Sequence, residues 1–156
     1  MHSMAQPTTA SAPLSEQGIS ANLTVEVMTD PDNGQPMLVA ATQDNQGDLQ
    51  VVTVAQAMAK VTAVREQADR AEALINEYAE KILIPAFLAE FGITLEELDT
   101  AALFEDQPKL AAAFQALVTT MDDGTLLVAV PKGQPAAERL AAIRALVLNQ
   151  QKQDQA

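Results

Sequence analysis

The run Asp30-Pro31-Asp32-Asn33-Gly34 has the oxygen density of a cation-binding loop. A calcium loop, however, requires an oxygen ligand at its fifth position, glycine at its sixth and a bidentate glutamate at its twelfth. Counted from Asp30, the fifth position is Gly34 and the twelfth is Ala41. The run is therefore expected to be a turn, and Asp44-Asn45-Gln46-Gly47-Asp48 a second one. Consecutive turns of a meander lie at opposite ends of the strands, so the two sets of carboxylates do not meet. The same geometry brings the first turn and the exit of the third strand to one end of the sheet.

The other polar clusters have similar structural explanations. Glu96-Glu97, Glu105-Asp106 and Asp122-Asp123 are sequence neighbours, which on a helix point about 100° apart and make no acid/base dyad. Val130-Pro131-Lys132-Gly133-Gln134-Pro135 reads as a strand-to-helix loop of the kind that can hold an anion at a helix N-terminus. It lacks the P-loop spacing, and its two prolines remove two backbone donors. Lys132, Arg139 and Arg144 make the locally basic patch of the chain, expected to complement the acidic remainder within the domain or across a subunit interface. Tyr78 is a lone aromatic with a polar tip, expected in a core or an interface.

What is missing narrows the chemistry further. There is no Cys and no Trp, and the one histidine is His2, in a segment that composition marks as flexible. A Ser-His-Asp relay, a cysteine nucleophile, a zinc cage and a histidine general base all need residues of those types. No cofactor or metal ligand set is legible. Carboxylate chemistry assisted by Mg²⁺ is the enzymatic alternative that the composition leaves open.

The elements that position these residues follow from patterning. Residues 1–21 are rich in Ser, Thr, Ala and Pro and are expected to stay flexible. Residues 22–148 are read as a single α+β domain, and residues 149–156 as a fraying tail. Leu23-Thr24-Val25-Glu26-Val27 alternates with period two, the signature of a half-buried strand. Met37–Ala40 and Leu49–Val52 complete an antiparallel meander around the two turns. Thr53 and Gln56 then have capping-box spacing.

After that cap the chain reads as one long helix. Ala57, Val61, Val64, Ala68, Ala71, Ile75, Tyr78 and Ile82 recur at alternating steps of four and three. This stripe either packs on its own domain or forms a seam with a partner, for which Val61, Val64, Ala68, Ala71, Ile75 and Tyr78 are the candidate interface. Three alanines bury little area each, so a dimer built on the seam alone would be weak. Pro85 predicts a kink or restart, and Gly92 a stop. Further on, Thr94 with Glu97 predicts a capped helix over Leu95–Leu103, and Pro108 a helix over Lys109–Met121. Thr125–Val130 predicts a buried strand paired with the meander, and Pro135 the start of a last helix, Ala136–Leu148, with Leu140, Ile143 and Val147 on its inner face.

The formal net charge of −12 is uneven. Residues 22–52 contain Glu26, Asp30, Asp32, Asp44 and Asp48 with no base, and residues 92–124 contain seven acids against Lys109. Such a surface repels phosphate backbones, so no direct nucleic-acid binding is expected. No apolar run is long enough to span a bilayer and no secretory pattern is visible, so a cytoplasmic protein without membrane contact is expected. The expected function is a non-catalytic protein–protein interaction module, an accessory, assembly or regulatory subunit that binds a protein partner or itself as a homodimer. The alternative is an acidic decoy that occupies a basic nucleic-acid-binding surface of another protein.

Overall fold

The structure, a computed structural model, describes residues 13–14, 17–43 and 46–155. His2, most of the expected N-terminal tail and Asp44 lie outside the described residues. The fold is α+β. Its elements are β1 (Leu23–Thr29), β2 (Pro36–Thr42), β3 (Gln50–Val51), α1 (Val54–Tyr78), a π turn (Ala79–Leu83), α2 (Ile84–Phe91), β4 (Ile93–Leu98), α3 (Thr100–Leu103), α4 (Pro108–Ala113), β5 (Leu117–Thr120), β6 (Leu126–Pro131) and α5 (Ala136–Asp154). The chain divides into two compact units, Met1–Glu72 and Ala73–Ala156, and the division falls within α1.

The first unit holds the meander, with strand order β1-β2-β3 and both pairings antiparallel. The first turn closes as its composition demands. Asp30 Oδ1 accepts from the Asp32 N–H at 2.9 Å, Asn33 Oδ1 accepts from the Gln35 N–H at 2.8 Å, and Gly34 takes a positive φ of 69°. Val52 N–H donates to Leu38 O, which puts the exit of β3 at the end of the sheet that carries this turn. The capping box then starts α1 with both arms made: Gln56 N–H donates to Thr53 Oγ1 at 3.1 Å, and Thr53 N–H to Gln56 Oε1 at 2.9 Å.

Pro85 shapes the end of the long helical run. Its nitrogen has no proton to donate, and an unbroken α-helix would drive its ring into the preceding turn. The chain widens just before it, and Ile84 N–H reaches back to Ala79 O across a π turn. Helix α2 resumes with the proline in its first turn and ends at Gly92, whose φ of 61° is left-handed and whose N–H bonds Leu88 O.

In the second unit the sheet order is β4-β6-β5, with β4 parallel and β5 antiparallel to the central β6. Three expectations are corrected here. The capped helix over Leu95–Leu103 is instead β4 followed by one turn of α3, for which Asp99 is the cap: its Oδ1 accepts from the Ala102 N–H. The helix over Lys109–Met121 stops at Ala113 because Phe114 turns extended, and Leu117–Thr120 becomes β5. The strand expected to join the meander pairs with β4 and β5 instead. Local signals favoured helix in both segments, and pairing with the apolar β6 outweighs them.

Helix α5 covers this sheet with Leu140, Ile143 and Val147, the inner face read from the sequence. Ile143, Val147, Val128 and Val130 are fully buried, and Ala79, Ile84, Phe87, Ile93, Ala136 and Leu140 complete the cluster. The helix does not end at Leu148. It runs on through Asp154, since Gln and Lys are good helix formers. Ile143→Ala removes three carbons from a closed core and is expected to cost about 2–4 kcal/mol of unfolding free energy in urea titration.

Candidate functional site

The stripe along α1 is where the sequence places either a face packed on its own domain or an interface. A 25-residue helix in a packed domain normally sinks a whole face, yet among the described residues of α1 only Ala57 is buried. Val61, Val64 and Ala71 are half-buried, and Ala68 is exposed. Ile75, Tyr78 and, in the π turn, Ile82 expose 59%, 46% and 47% of their surface. These three follow one another at the steps of three and four that keep side chains on one side of a helix. Polar residues flank them: Glu77 pairs with Lys81, and this carboxylate raises the lysine pKa above its ordinary 10.5. Val54 and Met58, at the start of α1, are exposed as well.

The basic loop has a different character. Lys132, Gly133, Gln134, Pro135, Ala136 and Arg139 line a depression of about 470 Å³ together with Asn76, Glu80 and Glu97. It lies at the carboxyl ends of the parallel strands β4 and β6, where the chain enters α5. Pro135 gives α5 no side-chain cap, and Asn76 supplies one from a distant part of the chain, its Oδ1 accepting from the Ala137 N–H at 2.9 Å. Arg139 turns into the protein, its side chain 12% exposed, and its Nη2 binds Glu97 Oε1 at 2.8 Å. Arg144 lies over the Phe87 ring at 5.7 Å, a cation–π contact. Lys132 stays in solvent. Lys132 and Arg139 thus share one depression, where Glu80 and Glu97 offset their charge, and Arg144 contacts Phe87.

Three of the acids that could suggest chemistry, Asp30, Asp99 and Asp123, are held by local structure. Asp123 accepts from both the N–H and the hydroxyl of Thr125, at 2.9 and 2.6 Å, and these bonds hold its carboxyl pKa below the ordinary 3.8. It closes the hairpin between β5 and β6, with Met121 N–H on Thr125 O and Gly124 at a φ of 83°. Asp30 and Asp99 are fixed in a turn and a cap. No group of three or more His, Cys, Asp or Glu side chains converges as a metal site among the described residues. No helix among them is long and apolar enough to cross a membrane.

Two features escaped the reading of the sequence. Glu97 has capping-box spacing from Thr94 and is instead the partner of Arg139, because its segment is a strand. β1 was expected to be half-buried, yet six of its seven residues are exposed and only Leu23 is partly covered. The lack of Lys and Pro over Leu23–Thr29 was the available signal for an unprotected strand. Comparison with protein-family models, with curated proteins and with solved structures finds no match to this chain.

Two predictions follow from the charged contacts. Glu97→Ala leaves the Arg139 charge largely buried, with its Nε already lacking a protein partner, and is expected to cost about 1–3 kcal/mol. Adding Arg139→Met should recover much of that loss in a double-mutant cycle. For Asp123 the folded-state pKa is the lower one, so its contribution is fully present above pH 3.8 and fades as pH falls through the depressed value. Stability curves of the wild type and Asp123→Ala should therefore differ at neutral pH and converge in acid.

Proposed function

We propose that this chain is a non-catalytic protein–protein interaction module that docks an apolar surface of another protein on Ile75, Tyr78 and Ile82. The observation that carries the reading is the exposure of these three large side chains at successive steps of three and four, with the Glu77–Lys81 pair beside them. Scattered apolar residues are common on protein surfaces, but an aligned set bordered by charged side chains is what helix-in-groove recognition uses. Tyr78 adds the amphipathic ring that contributes strongly at interfaces, with a hydroxyl to pair at the rim. An accessory, assembly or regulatory role in the cytoplasm is part of the same proposal, as is the absence of direct nucleic-acid binding.

The acidic decoy reading has less support. A decoy needs free carboxylates in a continuous run, whereas Asp30, Glu97, Asp99 and Asp123 are each engaged by a turn, an arginine or a cap. The charge that remains serves solubility.

A photoreactive phenylalanine in place of Tyr78 tests the docking face in the native host. The expected result is a discrete cross-linked partner, identified by mass spectrometry and lost when Ile75→Glu is added. Equal capture from a probe at the exposed Lys152, or capture that survives Ile75→Glu, overturns the proposal. An adduct between two copies of the chain would assign the seam to self-association instead.

A further inference from the structure

Among the four described strands at sheet edges, β1 stands apart. β3 has two residues and β5 four, too short to template another strand. β4 has six but carries Glu96 and Glu97. β1 has seven residues in unbroken register with β2, from Leu23 opposite Thr42 to Thr29 opposite Pro36, without bulge, proline or lysine. Among the described residues no strand pairs with its other side, and Val25, Val27 and Met28 are exposed, Val27 to 71%.

The hydrogen bonds say which backbone groups face outward. Asp30 N–H donates to Gln35 O at 2.8 Å in continuation of the β1–β2 ladder, and Val52 N–H donates to Leu38 O at 2.9 Å on the far side of β2. Bonding alternates along an antiparallel pair, so Thr24, Glu26 and Met28 direct their backbone groups to β2. Leu23, Val25, Val27 and Thr29 direct theirs away from the sheet.

We propose that β1 pairs antiparallel with β1 of a second copy about a two-fold axis at Val27, joining two three-stranded sheets into one of six strands. In this register Val27 meets Val27 of the other copy, Val25 meets Thr29, and Glu26 meets Met28. Centring on Glu26 would set two carboxylates directly opposite, and parallel in-register pairing would set them side by side, both destabilising. The two-fold arrangement also closes on itself. It consumes both copies of the long edge, and the outer edges of the joined sheet are then the two-residue β3 strands, so growth stops at two. The first unit has reason to gain from this, because Val39, Ala40, Ala41 and Ala57 are its buried apolar residues among those described, a small core for a three-stranded sheet. This surface is distinct from the Ile75–Ile82 face, and either stands without the other.

Sedimentation equilibrium of the full chain over a dilution series, with amide hydrogen exchange, tests the pairing. A reversible dimer is expected, with the amides of Val25, Val27 and Thr29 slowing as dimer forms. Because two acidic units meet, added salt should strengthen association, whereas pairing with a basic foreign strand would weaken with salt. Val27→Lys should weaken the dimer roughly tenfold or more by opposing two charges at the axis. Val27→Pro, which removes a donor that β2 does not use, should do the same with the circular dichroism spectrum unchanged. Ile75→Glu should leave the dimer intact. A single-chain mass at every concentration overturns the proposal. So does a dimer that survives Val27→Lys, or one that Ile75→Glu dissociates.

Discussion

The burial of Val128 and Val130 against Ile143 and Val147 holds the second unit together. These side chains are fully enclosed, and burying an aliphatic side chain of this size is worth about 1.5–3 kcal/mol. From this contact the neighbouring features follow. β6 takes the centre of its sheet because it is the most apolar strand, and a central strand needs a partner on each side, so Ile93–Leu98 and Leu117–Thr120 are drawn into strands. α5 lies across the sheet, and its first turn is capped by Asn76 because the preceding proline offers no side-chain oxygen. The Arg139–Glu97 pair then ties that turn of the helix to β4.

The first unit is built on a much smaller enclosed surface. Its buried residues are one valine and three alanines among those described, while valines and a methionine of β1 and the start of α1 remain in contact with water. Its definition comes from local devices: an Asx turn, a capping box and an unbroken strand register. Local hydrogen bonds of this kind specify conformation well, but each contributes only about 1 kcal/mol, so they do not replace a core. A unit organised in this way gains from any partner that covers its open strand or its helix.

The π turn before Pro85 shows how one residue reshapes a long element. The stripe from Ala57 to Ile82 reads in the sequence as one continuous heptad pattern. Only its first residue is buried, and its last member sits in the widened turn. A heptad stripe says which residues share a face. It cannot say whether that face is covered, since coverage depends on elements distant in sequence. The basic loop teaches the same lesson: Lys132, Arg139 and Arg144 are close in sequence, yet a carboxylate takes one, an aromatic ring takes another and solvent keeps the third.

By itself the sequence determined the features whose physics is local. The meander, both arms of the capping box, the restart at Pro85, the left-handed stop at Gly92, the turn from Asp30 to Gly34 and the inner face of α5 each follow from residues within a few positions of one another. Tertiary structure alone decided residues 93–121, where Thr94 with Glu97 and Pro108 are sound helix signals that lose to pairing with β6. It also decided that the late strand joins a sheet of its own, that Glu97 faces an arginine, and that no described strand pairs with the outer side of β1. These outcomes depend on which apolar surface finds which partner, a competition among contacts far apart in the chain that no local pattern encodes.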